Sequence, residues 1–145
     1  MVNFSDKLSK IAKNTDLYLK RVFSKQSRNS YLIWPMKYGL LSGGKKLRSS
    51  IVVNTGKIFN TDYKKLIIIG AAVECLHSYS LMHDDLPSMD NDDLRRGRLS
   101  THKKFNEFTA ILAGNSLLTL AFEILSGNDL NVPQKIKVEL IRALS

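Results

Sequence analysis

The chain has 145 residues, 43% of them hydrophobic and 8% aromatic, enough for one ordinary core. Its formal net charge of +9 calls for an anionic partner, but the lysines are scattered and no basic run interleaves with aromatics, so nucleic acid is not the expected partner. The lone cysteine, Cys75, excludes a disulfide framework and a thiolate metal site.

The start, Met1 to Lys7, has no apolar signal core, and the longest apolar run, Leu66 to Val73, is too short to cross a bilayer before it meets Glu74. A cytoplasmic chain with no membrane span is expected. Phe4, Leu8, Ile11, Ala12, Thr15, Leu19, Val22 and Phe23 fall at steps of three and four, one stripe of a first helix. Lys25 to Ser30 is polar and turn-like. Tyr31 to Leu41 reads as a short helix with Pro35 in its first turn, where a missing N–H costs little. Gly43-Gly44 ends it. A third helix is expected from about Lys45 to Phe59, with Asn60 as its C-terminal cap. Asp62 can cap a fourth, from Tyr63 to about Asp85, whose apolar positions run almost all the way round and predict a central, buried helix.

Leu86 to Lys104 is a long polar segment with Pro87 and Gly97, too long for an ordinary helix connection and so expected to be functional. A fifth helix follows, with Phe108, Ile111, Leu112, Leu118, Phe122 and Leu125 predicted inward and Gly127 near its end. Pro133 suits the first turn of a sixth, striped by Ile136, Leu140, Ile141 and Leu144 to the last residue. No segment alternates with period two. The expected fold is all-α.

The chemistry concentrates in one stretch: Asp84-Asp85-Leu86-Pro87-Ser88-Met89-Asp90, then Asp92-Asp93-Leu94-Arg95-Arg96-Gly97. Three carboxylates read as close enough to share hard cations, and Mg²⁺ keeps open positions for phosphate oxygens. The guanidinium forks of Arg95 and Arg96 pair with phosphate directly. Asp84 and Asp85, at a helix C-terminus where negative charge is unfavourable, call for a compensating cation. An EF-hand does not fit, because the ligands lack its alternate spacing and final Glu. Zinc does not fit either, since His77, His83 and His102 offer no close-spaced pair on the zinc-helix pattern.

His77 lies two helical turns before Asp84 on the same helix face, roughly 10 Å along the axis. A second suggestive stretch is Gly43-Gly44-Lys45-Lys46-Leu47-Arg48: its glycines let backbone approach a ligand, and Lys45 and Arg48, three apart at a helix start, point the same way beside helix N-terminal amides. The Walker A spacing is absent.

Taken together, Gly43 to Arg48, Glu74 to Asp90 and Asp93 to Gly97 resemble, in order, the motifs of the polyprenyl diphosphate synthases, closest to the bacterial members that make farnesyl diphosphate. The resemblance implies an isoprenoid-synthase-type helical bundle. It also implies that residues 1–145 are the N-terminal part of a single synthase domain, truncated after about six helices, without the half that carries a second aspartate-rich motif. The implied reaction is Mg²⁺-dependent prenyl transfer in isoprenoid biosynthesis, condensing isopentenyl diphosphate with an allylic diphosphate (dimethylallyl or geranyl) to give farnesyl diphosphate.

On this pattern Asp84 and Asp90 fall on the Mg²⁺ ligands, with Asp85 as a supporting carboxylate. Arg95 falls on the group gripping the allylic diphosphate, which makes Asp84, Asp90 and Arg95 the implied catalytic set. Lys45, Arg48, His77 and Arg96 fall on the groups holding isopentenyl diphosphate. Tyr79 falls where the family sets pocket depth, implying a short product. A full-length form is expected to be a homodimer. Asn115 stands where the family usually has Asp, and Ser49 where it commonly has Pro. The alternative expectation is a non-catalytic remnant, or one subunit of a split enzyme.

Overall fold

The computed structural model describes residues 3–26 and 31–145; Ser27 to Ser30, most of the segment read as a turn, lie outside them. Among the described residues there are seven helices and one two-stranded hairpin. The helices are α1 (Phe4–Lys25), α2 (Ile33–Leu40), α3 (Leu47–Ile58), α4 (Tyr63–Asp84), α5 (Thr101–Lys104), α6 (Glu107–Ser126) and α7 (Gln134–Leu144), and the hairpin pairs β1 (Leu94–Arg95) with β2 (Arg98–Leu99). The all-α expectation holds; the count of about six rises by the four-residue α5.

Local chemistry explains the boundaries. The Asp62 side chain accepts the Lys64 and Lys65 amides at 3.1 Å, capping α4 as expected. Asn106 caps α6 by accepting the Thr109 amide at 2.7 Å. Asn60 has φ 55°, the left-handed residue just past the end of α3. Pro133 is the N-cap of α7, one place before the first turn. The third helix starts at Leu47, not Lys45, because Lys46 is itself left-handed (φ 45°). That backbone lets the Lys46 side chain run inward, 4% exposed, to donate to the Leu40 carbonyl at 2.6 Å and lie 3.6 Å from Asp16.

Helix α4 is the axis of the bundle, with α1, α2, α3 and α6 packed round it, so its apolar residues face neighbours on most sides. By length and average composition α4 and α6 are both apolar enough to cross a membrane, yet 56% and 50% of their apolar windows are buried inside the bundle. They lie against each other and supply much of the core, including Ala71, Cys75, Ala113 and Leu117. The inward face of α6 is not the expected one. Ala110, Ala113, Gly114, Leu117, Ala121 and Ile124 are buried, whereas Phe108 is 65% exposed and Leu112, Leu118 and Phe122 are half-buried; only Leu125 of the predicted set is buried. Close approach to α4 selects small residues: a Cβ at Gly114 would stand 2.5 Å from His83 Nε2.

The hairpin is the other departure. Arg96 (φ 55°) and Gly97 (φ 73°) form a two-residue turn with both φ positive, the geometry that matches strand twist. It puts Arg95 directly opposite Arg98.

Candidate active site

Three stretches converge along the C-terminal half of α4, two of them consecutive in sequence and the other some thirty residues earlier. The first is the Gly43–Arg48 segment before and into α3, the second the face of α4 from Glu74 to Asp84, and the third the segment from Asp85 through the hairpin. A narrow cleft of about 30 Å³ of free volume lies between the end of α2, the face of α4 and the hairpin. Its walls include Ser78, Asp85, Arg95, Arg96 and Arg98, with Tyr38 of α2.

The acidic residues do not form a three-carboxylate cluster. Among the described residues no group of three His, Cys, Asp or Glu side chains could hold a metal. Asp85 is the reason. It is 2% exposed and turned into the protein, where its Oδ1 accepts the Arg95 Nε–H at 2.9 Å and a second donor from Arg95 Nη2. Asp84, the last residue of α4, is half-buried, and Asp90 is exposed on the loop beyond. Their backbones are tied: the Asp90 amide donates to the Asp84 carbonyl at 2.8 Å, closing the loop so that both carboxylates leave from one turn. Two carboxylates on a solvent-facing turn are a donor set that suits a hard divalent cation.

Arg95, in β1, is held by Asp85 and lies 3.4 Å from Asp92. The Asp85 hydrogen bond, outweighing the opposing effect of burial, raises its affinity for its proton. Arg96, at the tip of the turn, reaches back to donate to the Gly43 carbonyl. Gly44 makes room for it: its φ is +100°, and a Cβ there would lie 2.5 Å from Arg96 Nη1. The glycine pair thus receives a guanidinium from the hairpin.

Arg48, in the first turn of α3, donates to His77 Nε2 at 2.9 Å. An arginine can only donate, so Nε2 must be the acceptor and the imidazole proton sits on Nδ1. Desolvation, then the positive charges of Arg48, Arg96 and Lys46, lower the His77 pKa, with Glu74 acting in the opposite sense. Lys45 is exposed before the helix begins, so the expectation that it shares a helix face with Arg48 is replaced by a loop position. Asp84 and Asp90 therefore share the loop at the end of α4 with Arg95 and Arg96 on the hairpin that follows, the Arg48–His77 pair stands two turns back along the helix, and Lys45 lies on the adjoining loop. Tyr79 packs edge-on against His83, ring centroids 4.6 Å apart, and does not line the cleft.

Sequence reasoning missed Arg98. It lines the cleft with its guanidinium over the Tyr38 ring at 4.5 Å, while the Tyr38 hydroxyl donates to the Leu99 carbonyl at 2.8 Å. Its signal was available, since a two-residue turn at Arg96-Gly97 places Arg95 and Arg98 side by side.

Comparison with known proteins bears on the fold and the family. The family model described as polyprenyl synthetase matches residues 29–145. The chain is 47% identical over 119 residues to a farnesyl diphosphate synthase of Buchnera aphidicola, covering 81% of this chain and 42% of the relative. It is 42% identical to the Haemophilus influenzae farnesyl diphosphate synthase, across 100% of this chain and 49% of the relative. Among solved structures, a geranyltransferase from Legionella pneumophila superposes with a TM-score of 0.90 at 39% identity, covering 95% of this chain and 49% of that one. The chain thus spans about half the length of the curated relatives it matches. With the motifs, the bundle and the family match in agreement, the chain belongs to the polyprenyl synthetase family.

Proposed function

We propose that this chain carries the diphosphate-binding and ionising face of a prenyltransferase that joins isopentenyl diphosphate to an allylic diphosphate, dimethylallyl or geranyl, to give farnesyl diphosphate. The observation that supports this best is the convergence of Arg95, Arg96 and Arg98 on one cleft beside the end of α4, where Asp84 acts on Arg95, with the Arg48–His77 pair two turns back along the same helix. In the proposed reaction the allylic C–O bond breaks and its electron pair leaves with pyrophosphate. The double bond of isopentenyl diphosphate then supplies the pair for a new C–C bond, and a proton is lost from the adjacent carbon to restore an alkene.

Each side chain has a part in that scheme. Asp84 and Asp90 would hold Mg²⁺, which supplies positive charge to the departing diphosphate. Arg95, pre-set by Asp85, faces the same leaving group, so its charge needs no reorganisation as negative charge develops. Arg96, Arg48, Lys45 and His77 bind the second diphosphate, with His77 Nε2 also orienting Arg48. Tyr79 limits product length by its bulk.

A second reading, a part that turns over substrate only with a further polypeptide, is favoured by two observations. The chain covers 42–49% of those relatives, and no group of three metal-ligating side chains occurs among the described residues. Prenyl transfer from geranyl to isopentenyl diphosphate, measured on this polypeptide with and without Mg²⁺, separates the two. Turnover comparable to a complete synthase refutes the second reading. Binding of both diphosphates without turnover refutes the first for the isolated chain.

A further inference from the structure

Glu74, a buried carboxylate one turn before His77, has no part in the proposed prenyl transfer. It is 2% exposed, and its Oε1 accepts the backbone N–H of Ser49 at 3.0 Å. Ser49 is the third residue of α3, so this N–H is one of the four that the helix itself cannot satisfy. A carboxylate there also suits the positive end of the helix dipole.

The contact belongs to a ladder. Gly70, Glu74 and His77 stand at i, i+4 and i+7 on α4, and each meets the first turn of α3. Gly70 makes room for the Ser49 side chain, Glu74 takes the Ser49 amide, and His77 receives Arg48. From the far side, the Ser49 hydroxyl meets Thr15 Oγ1 at 2.7 Å. Thr15 donates its own proton to the Ile11 carbonyl, so Ser49 is the donor of that bond and has no hydroxyl proton left for Glu74. The amide is therefore the tie between α3 and Glu74.

We infer that Glu74 is a positioning residue: by gripping the Ser49 amide it fixes the first turn of α3 so that the adjacent Arg48 meets His77 and is held at the anion site. This rests on the diphosphate reading for its purpose, but not for its test.

The test is the tautomer of His77, read by long-range ¹⁵N–¹H correlation on the full chain. Wild type is expected to show one species, protonated at Nδ1. Arg48→Ala, the reference for a lost contact, is expected to show a mixture of both tautomers. Glu74→Ala and Glu74→Met, which both remove the acceptor while Met keeps the side-chain volume, are expected to match Arg48→Ala while keeping helical circular dichroism. Glu74→Gln, whose amide oxygen can still accept, is expected to keep the wild-type tautomer. If Glu74→Ala does not fold, Glu74→Met carries the comparison. A folded Glu74→Met or Glu74→Ala chain with the wild-type His77 signature overturns the inference, as does a Glu74→Gln chain that loses it. Inorganic pyrophosphate titrated into the same variants tests the other reading separately: failure of wild type to bind it, with the tautomers behaving as expected, sinks the diphosphate assignment alone.

Discussion

Adjacent glycines offer the sharpest test of how the hairpin builds the site. Gly43 has φ +84° with nothing within 4 Å of where a methyl would stand, whereas at Gly44 (φ +100°) a Cβ would lie 2.5 Å from Arg96 Nη1 and 2.7 Å from its Cζ. Alanine at either position meets backbone strain on the order of 1–3 kcal/mol. For a domain of this size that lowers Tm by about 2–4 °C per kcal/mol. Only Gly44→Ala also displaces the Arg96 guanidinium, and because the clash is with a flexible tip it is relieved by moving that side chain, not the backbone. The added cost then falls on binding: one hydrogen bond to a charged group, about 1.5–3 kcal/mol, or roughly ten- to hundredfold in affinity. Thermal melts and calorimetric titration of isopentenyl diphosphate read the two effects apart. Similar Tm losses with a selective affinity loss in Gly44→Ala are expected. Equal affinity losses in both variants would refute the role given to Arg96.

Other perturbations follow from the same geometry. Asp85→Ala strips the buried partner from Arg95; a broken buried pair costs about 3–5 kcal/mol, discounted here to about 1–3 kcal/mol because the Arg95 side chain is 32% exposed and solvent screens it. Urea unfolding checks this, and a loss below 0.5 kcal/mol (about the range of a neutral surface change) would count against the pair. His77 has its pKa lowered in the fold, so the unfolded chain binds its proton first. Its contribution is complete above the unfolded value of about 6.5 and is lost as pH falls from there through the folded pKa. Stability measured from pH 7.5 to 5 should fall more in wild type than in His77→Gln, and parallel curves would contradict the assignment. Lys137, 5% exposed, donates to the Ser126 and Gly127 carbonyls at 3.2 and 2.8 Å, closing the end of α6. Lys137→Met should cost about 1–3 kcal/mol by leaving those carbonyls unpaired, and an unchanged Tm would rule that cap out.

What could be read from the sequence was what local chemistry decides. Asp62 and Asn60 mark the start of α4 and the end of α3 by side-chain capping and tolerance of positive φ, both legible in residue type. The face of α6 was not legible, because ranking side chains by hydrophobic bulk selects Phe108 and Ile111. The bundle instead needs Ala110, Ala113 and Gly114 where the helix must approach α4. The hairpin escaped because two-residue strands are too short to show a period. Within the site, the residue types were evident and their division of labour was not. Lys45 and Lys46 look alike in sequence, yet a left-handed backbone sends Lys46 into the core. Asp84 and Asp85 look alike too, yet one ends α4 beside the Asp90 turn and the other is buried against Arg95, ten residues on, through a fold no local pattern announces.

In the proposed site the Asp84–Asp90 turn and the neighbouring arginines hold a diphosphate through a hard cation. Calorimetric titration of geranyl diphosphate into the wild-type chain and into Asp84→Ala, each with and without Mg²⁺, tests it most directly. Binding by wild type should strengthen at least about tenfold with Mg²⁺, the scale of a single lost charged contact, and the Asp84→Ala chain should be indifferent to the metal. Equal affinity with and without Mg²⁺, or an Asp84→Ala chain that keeps the full Mg²⁺ effect, would contradict it.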